Sequence, residues 1–393
     1  MSKGKYSNRS TQLFTLFLML TLLLAGCATS PATVAAPPVP TSTAEARLSP
    51  TRAPSTDTPT VTAIPTSIAA SGTYWPTKGW RTSDPEEQGM DAQKLAEMLK
   101  VIQEKKLNLH SLLIIRNGYL VSETYFGSYK QDTRHELYSC TKSFIGTLIG
   151  ITLDKGYLKG TDQRILDFFP EQTFANPDER KSAMTLDDTL TMRTGLDWEE
   201  GDPAYQALSR SRDWVKYMLD KPLVATPGKQ FNYCSGCSHL LSAIVQQSTG
   251  MDTREFADQY LFQPLGISRV VWDVDSSAIA IGGWGLQITP RDMAKLGYLY
   301  LHNGQWDGQQ IVSAKWIEDA TRTHAKTGGD LDYGYQWWTY PALEAYTALG
   351  RGGQTLFVVP KLNLIVVTTA ELDNHDEIFG LIQQYILPAA QES

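Results

Sequence analysis

Apolar residues recur with two different periods between residues 90 and 390, and the switches between them mark the elements. Asp91 precedes Leu95, Met98, Leu99 and Ile102, an i, i+3, i+4, i+7 spacing that predicts an amphipathic helix capped by Asp91. Ser111 to Ile115 and Tyr119 to Phe126 are strand-like runs joined by Arg116-Asn117-Gly118, and Asn-Gly between such runs predicts a hairpin. A second hairpin is predicted from Thr355 to Val359 and Leu364 to Val367, with its turn at Pro360 to Asn363. A closing helix follows, carrying Ile378, Phe379, Ile382, Tyr385 and Ile386 on one side. Helix, hairpin, long insertion, hairpin, helix predicts an α+β fold, with one antiparallel sheet assembled from both ends of the domain and flanked by the terminal helices.

The insertion, roughly 140 to 340, reads as mostly helical. Ser139 to Asp154 is apolar around most of its circumference, which predicts a buried helix ending at Gly156 with Ser139 in its first turn. A serine oxygen placed there feels the positive end of the helix dipole. A further apolar helix, with Leu240, Leu241, Ile244 and Val245, is predicted after a loop containing Tyr233.

The N-terminal pattern is different. Lys3, Lys5 and Arg9 precede an apolar run from Leu13 to Leu24, too short to span a bilayer comfortably, and Leu24-Ala25-Gly26-Cys27 follows. This is the layout of a secretion signal, and its end resembles a bacterial lipobox, which implies lipidation of Cys27 and an extracytoplasmic, membrane-anchored lipoprotein. In residues 28 to 72, 34 of 45 positions are Ala, Thr, Ser or Pro and none is aromatic, so the segment is expected to be a disordered tether. Its reach is at most about 140 Å in polyproline geometry. The folded domain is therefore expected over residues 73 to 393.

Composition narrows the partners. The net charge is -7, and residues 1 to 27 carry three basic and no acidic residues, so the rest of the chain stands at -10, which argues against nucleic acid. Three cysteines remain after Cys27, so an oxidising compartment would leave at least one free thiol among Cys140, Cys234 and Cys237. Cys234 and Cys237 could close a small disulfide or be two small buried residues, and the second reading is preferred. No second pair or His-x-x-x-His accompanies them, so no metal is expected. A Walker loop, a dinucleotide fingerprint and a Gly-x-Ser-x-Gly elbow are all absent, and no cofactor is expected.

Ser139 and Lys142 carry the candidate chemistry. Residues three apart on a helix share a face, so the Lys142 amine can reach the Ser139 hydroxyl and, if burial lowers its pKa, take the proton. Spacing alone is weak evidence, because Ser2 and Lys5 share it by accident. Two later stretches decide the matter: Tyr233-Cys234-Ser235 before an apolar helix, and Gly350-Arg351-Gly352-Gly353-Gln354 leading into a strand.

In that order the motifs resemble the serine β-lactamase and penicillin-recognising family, particularly its class C and esterase branch, over about residues 74 to 390. The resemblance implies a β-lactamase/DD-peptidase-like fold, with Ser139 as acylated nucleophile, Lys142 as its amine partner and Tyr233 as second member of the base system. It implies an oxyanion hole from the amides of Ser139 and Gln354, with substrate bound by Ser235, Arg351, Gly352 and Gly353. A depressed Tyr233 pKa is expected beside a buried cation. Glycines at 352 and 353 are expected to let substrate lie against the strand.

Departures from the family pattern refine the expectation. Ser235 stands where lactamases usually carry Asn, and Arg351-Gly352-Gly353 where they carry Lys-Thr-Gly. With Leu196-Asp197-Trp198-Glu199-Glu200, this is similar to the branch that includes 6-aminohexanoate-dimer hydrolases. A serine hydrolase of small ester or linear amide substrates is expected; the alternatives are a penicillin-binding sensor, a D-alanyl-D-alanine peptidase or a β-lactamase. Glu104 to Asn108 matches Glu-x-x-Leu-Asn of class A β-lactamases, but it precedes the nucleophile and is read as chance. Tyr333 to Trp338 is read as aromatic packing rather than cleft lining, and His135 as structural.

Overall fold

The computed structural model describes residues 74–390. The segments read above as a secretion signal and a tether, with Cys27, lie outside the described residues. Ten strands are named here: β1 (Leu109–Arg116), β2 (Tyr119–Tyr125), β3 (His135–Glu136), β4 (Val271–Trp272), β5 (Leu286–Ile288), β6 (Asp332–Tyr333), β7 (Trp338–Tyr340), β8 (Ala345–Gly350), β9 (Gln354–Val359) and β10 (Leu364–Ala370). The principal sheet has seven of them in the order β2-β1-β10-β9-β8-β7-β6, and β1 pairs antiparallel with β10. The N-terminal and C-terminal hairpins thus meet at its centre, as the pattern predicts.

Both faces of the sheet are covered, which is why its strands are continuous apolar runs rather than alternating ones. Leu113 and Ile115, Leu356 and Val358, Ile365 and Val367 pack towards the helical insertion. Their neighbours Leu112 and Ile114, Phe357 and Val359, Leu364 and Val366 pack the other way. That second layer is closed by helix α1 (Ala92–Glu104), which buries Leu95, Met98 and Ile102, and by a C-terminal helical run, Asp376–Leu381, Ile382–Ile386 and Leu387–Ala390. Each such apolar side chain is worth about 1.5–3 kcal/mol in transfer free energy.

Five helices of the insertion are named here: α2 (Thr141–Asp154), buried from Thr141 to Thr152, α3 (Asp202–Ser209), α4 (Trp214–Asp220), α5 (Ser235–Thr249) and α6 (Pro290–Leu301). The expected helix at Ser139 is modified at its start. Tyr138–Cys140 is a single 3-10 turn, with Tyr138 in the left-handed region at φ 46°, so the chain turns sharply into α2 at Thr141. The small sheet β3-β5-β4 sits beside this turn, and the Leu137 amide donates to Leu286 O at 2.9 Å.

Two expectations are corrected. Strands β6, β7 and β8 extend the sheet from within and just after the segment expected to be helical. They are short and broken by Gly334, Gln336 at φ 61° and Pro341, so no period-2 run survives to announce them. Cys234 and Cys237 are disulfide-bonded as well as buried, with Cα atoms 5.2 Å apart; N-cap and first-turn positions of α5 bring them within bridging distance. Cys140 is free and buried.

Candidate active site

Lys142 is 1% exposed, the second residue of α2, and its Nζ has three acceptors. They are Ser139 Oγ at 2.8 Å, Ser235 Oγ at 2.8 Å and the Gly283 carbonyl at 2.9 Å. Burial disfavours the ammonium and brings its pKa from 10.5 down to about 8, against the opposing pull of Glu200 and Cys140. A minor neutral fraction therefore exists at pH 7 and grows as the pH passes about 8, 2.8 Å from a serine hydroxyl.

Tyr233 is hydrogen-bonded to Ser139 as well. Its ring stacks on Trp338, centroids 5.4 Å apart and planes at 20°, and meets the Tyr333 ring edge-on. The aromatic run that includes Tyr333 and Trp338 therefore holds the tyrosine rather than contributing chemistry of its own. Burial raises the phenol well above its usual value of 10, outweighing the lowering effect of its hydrogen bond with Ser139. The expected depression of this pKa is overturned, although Lys142 Nζ lies 4.8 Å from the ring centroid. Desolvation of a phenolate dominates, so Tyr233 stays protonated while Lys142 is the group whose neutral form can accept a proton.

Ser235 opens α5 and is buried, with its hydroxyl between Lys142 and the Glu200 carboxylate. Gly283 must be glycine for the Lys142 contact to exist, since a Cβ there would stand 2.7 Å from the Ser235 carbonyl oxygen. Ser139 lines a cleft of about 230 Å³ with Tyr138, Tyr205, Ser235, Trp284 and Arg351. A wider cleft of about 550 Å³ shares Tyr138 and Arg351 and is lined by His110, Gly352 and Gln354 among others.

Ser139, Lys142, Tyr233, Ser235 and Arg351 are thus gathered in one place, and the family-model comparison agrees with the motif order: a model described as Beta-lactamase matches residues 87–390. The chain belongs to the Beta-lactamase family. It is 27% identical over 294 residues to a 6-aminohexanoate-dimer hydrolase of Paenarthrobacter ureafaciens, covering 68% of this chain and 73% of that one. A family VIII carboxylesterase superposes with a TM-score of 0.62 at 18% identity, covering 78% of this chain and 98% of that one. EstCE1, a hydrolase with promiscuous acyltransferase activity, gives a TM-score of 0.64 at 16% identity over 75% and 98% of the two chains. These structural likenesses show the fold.

Within this Beta-lactamase-family site, the glycine-rich strand entry differs from expectation in detail. Gly352 and Gly353, at φ 83° and 91°, form the turn between β8 and β9. Their glycine identity is thus explained by backbone conformation, and Gly352 lines the wider cleft rather than the one with Ser139. Gln354 is 1% exposed; its side-chain amide donates to Arg351 O and Ala370 O, and its carbonyl accepts from Cys140 Sγ. Arg351 is the hairpin residue that borders Ser139's cleft, and its guanidinium reaches Asp202 Oδ1 at 3.2 Å.

Glu200 is the residue of this site to which sequence reasoning gave no role. It was visible only within a stretch similar to one branch of the family, and nothing local shows that it reaches Ser235 across 35 residues. Trp198 Nε1 and the Ser235 amide donate to its Oε2, the latter at 3.0 Å. The Tyr205 hydroxyl donates to Oε1 at 2.7 Å and the Ser235 hydroxyl to the same oxygen. Among the described residues no group of three or more His, Cys, Asp or Glu side chains is placed to hold a metal ion.

Proposed function

We propose that the protein is a serine hydrolase that cleaves small esters or linear amides through an acyl-enzyme on Ser139. The observation that carries this reading is the 2.8 Å contact between buried Lys142 Nζ and Ser139 Oγ. The Ser139 proton passes to the neutral Lys142 amine as Oγ bonds to the substrate carbonyl carbon and the carbonyl electron pair moves onto its oxygen. The backbone amides of Ser139 and Gln354 serve that oxyanion, the lost-donor cost being about 3 kcal/mol in such sites. Collapse expels the leaving group, which takes the proton from Lys142 through the Tyr233 phenol. Water then attacks the acyl-enzyme by the same route in reverse.

Substrate class rests on the lining. Ser235, where a lactamase Asn would present an amide, is occupied on both sides by Lys142 and Glu200. Arg351 is exposed and paired with Asp202, which leaves it a weaker anchor for a lactam carboxylate than a buried lysine. The names of the relatives, a linear-amide hydrolase and a carboxylesterase, support ester or linear amide over lactam. The Cys234–Cys237 disulfide supports export to an oxidising compartment, in keeping with the lipoprotein reading of the N-terminus.

The test is to incubate the protein with a fluorophosphonate and locate the adduct by mass, beside turnover of p-nitrophenyl esters, a linear amide, a D-alanyl-D-alanine peptide and a chromogenic cephalosporin. A Ser139 adduct and ester turnover that vanishes in Ser139→Ala are expected. Folded protein without adduct or turnover overturns the reading, and preferential cephalosporin or D-alanyl peptide cleavage reassigns the substrate.

A further inference from the structure

The three acceptors around Lys142 raise a question that distance alone leaves open. A neutral amine has two hydrogens and one lone pair, and only a lone pair facing Ser139 can take its proton. The Gly283 carbonyl can only accept, so it claims one hydrogen. Ser235 Oγ can donate or accept, and it decides the rest. If Ser235 donates to the amine, the lone pair is consumed there and Ser139 faces an N–H instead.

Glu200 removes that freedom. Its Oε2 accepts from two groups that can only donate, the Trp198 indole and the Ser235 amide, which fixes the carboxylate against the start of α5. Oε1 is thereby aimed at the Ser235 hydroxyl, whose single hydrogen it takes. We infer that Glu200 is a positioning residue for acylation: by holding the Ser235 hydrogen it makes Ser235 an obligate acceptor from Lys142, so that the amine's lone pair can face only Ser139.

Glu200 thus acts through Ser235 and Lys142 without touching the reacting atoms. Its charge has a second, opposite effect, because it favours the Lys142 ammonium, as does Cys140 from the neighbouring turn; the remaining titratable group against Lys142 is Tyr233. Glu200 therefore improves the geometry of the neutral amine while reducing its population. The two effects separate in the pH profile, which is the signature of this role.

The inference rests on the proposed Ser139 acylation, and the experiment distinguishes the two. Steady-state ester hydrolysis is followed from pH 5 to 10 for the wild-type protein, Glu200→Gln, Glu200→Asp and Ser235→Ala, each checked for folding by circular dichroism. Active sites are counted with a fluorophosphonate. Glu200→Gln presents an amide that can donate to Ser235. It is expected to lower plateau kcat by about tenfold to a hundredfold, the range typical for a partner that orients a functional group. KM should be little changed, and the acid limb should move to lower pH.

Glu200→Asp keeps the charge but withdraws the oxygen, so the plateau should fall with the acid limb in place. This variant and Ser235→Ala carry the test if Glu200→Gln does not fold. Adding Glu200→Gln to Ser235→Ala should cost little further, since both remove one device. Wild-type labelling at Ser139 together with full plateau activity in the Glu200 variants, or an unmoved acid limb in folded Glu200→Gln, overturns the inference alone. Unlabelled, inactive wild-type protein overturns the acylation reading with it.

Discussion

Gly350 and Leu137 meet backbone to backbone: a Cβ on Gly350 would stand 2.2 Å from the Leu137 carbonyl oxygen. The end of β8 is thereby locked against the turn that presents Ser139, and the Cys140 sulfur would lie 3.3 Å from the same Cβ. The sheet and the start of α2 are held in a fixed relation by the absence of one methyl group.

Gly350→Ala should therefore damage the site more than its size suggests. Relief of the clash must move either β8 or the Tyr138–Cys140 turn, an overpacking cost of about 1–3 kcal/mol. Chemical denaturation should show the loss, and fluorophosphonate labelling of Ser139 should slow. Labelling at the wild-type rate would mean that the hairpin does not align the nucleophile.

Activity should rise with pH through about 8, the region where burial places the Lys142 pKa. The sign follows from desolvation: the ammonium form, dominant below that pH, cannot accept the Ser139 proton, and the neutral form above it can. Lys142→Met should abolish turnover over the whole range. A rate–pH profile flat between 6 and 9 would contradict Lys142 as the base.

Tyr233→Phe should separate substrates by leaving group. The raised pKa keeps Tyr233 protonated, so its loss removes a proton donor, worth about 10²–10⁴-fold where the leaving group needs protonation. Linear amides and alkyl esters should suffer in that range, while p-nitrophenyl esters, whose leaving group departs as the anion, should lose far less. Equal losses across the series would assign Tyr233 a base role instead.

The Cys234–Cys237 bridge closes a loop so short that the chain-entropy contribution is only about 2 kcal/mol. Its position matters more, because Ser235 lies inside it and Tyr233 immediately before it. Replacing both cysteines by Ser should lower the denaturation midpoint modestly and reduce kcat by a larger factor. Unaltered kcat would show that α5 presents Ser235 without the bridge.

Some of this was legible because it is local. Asp91 does cap α1, accepting from the Lys94 amide, and Asn117-Gly118 does turn the first hairpin with both residues at positive φ. The Ser139–Lys142 contact is likewise local, since three-residue spacing at a helix start brings the two groups together whatever surrounds them. Strands β6 to β8 were illegible because pairing with a neighbour, not their own pattern, makes them strands.

The sequence by itself determined the sheet-and-helix plan and the Ser139–Lys142 contact, since hydrophobic period and short-range spacing are written along the chain. Tertiary structure decided the protonation. Burial favours the neutral form of both Tyr233 and Lys142 because folding removes water from each, and Glu200 reaches Ser235 only because the fold closes 35 residues of chain. Desolvation and long-range hydrogen bonds belong to the packed molecule, and no local pattern encodes them.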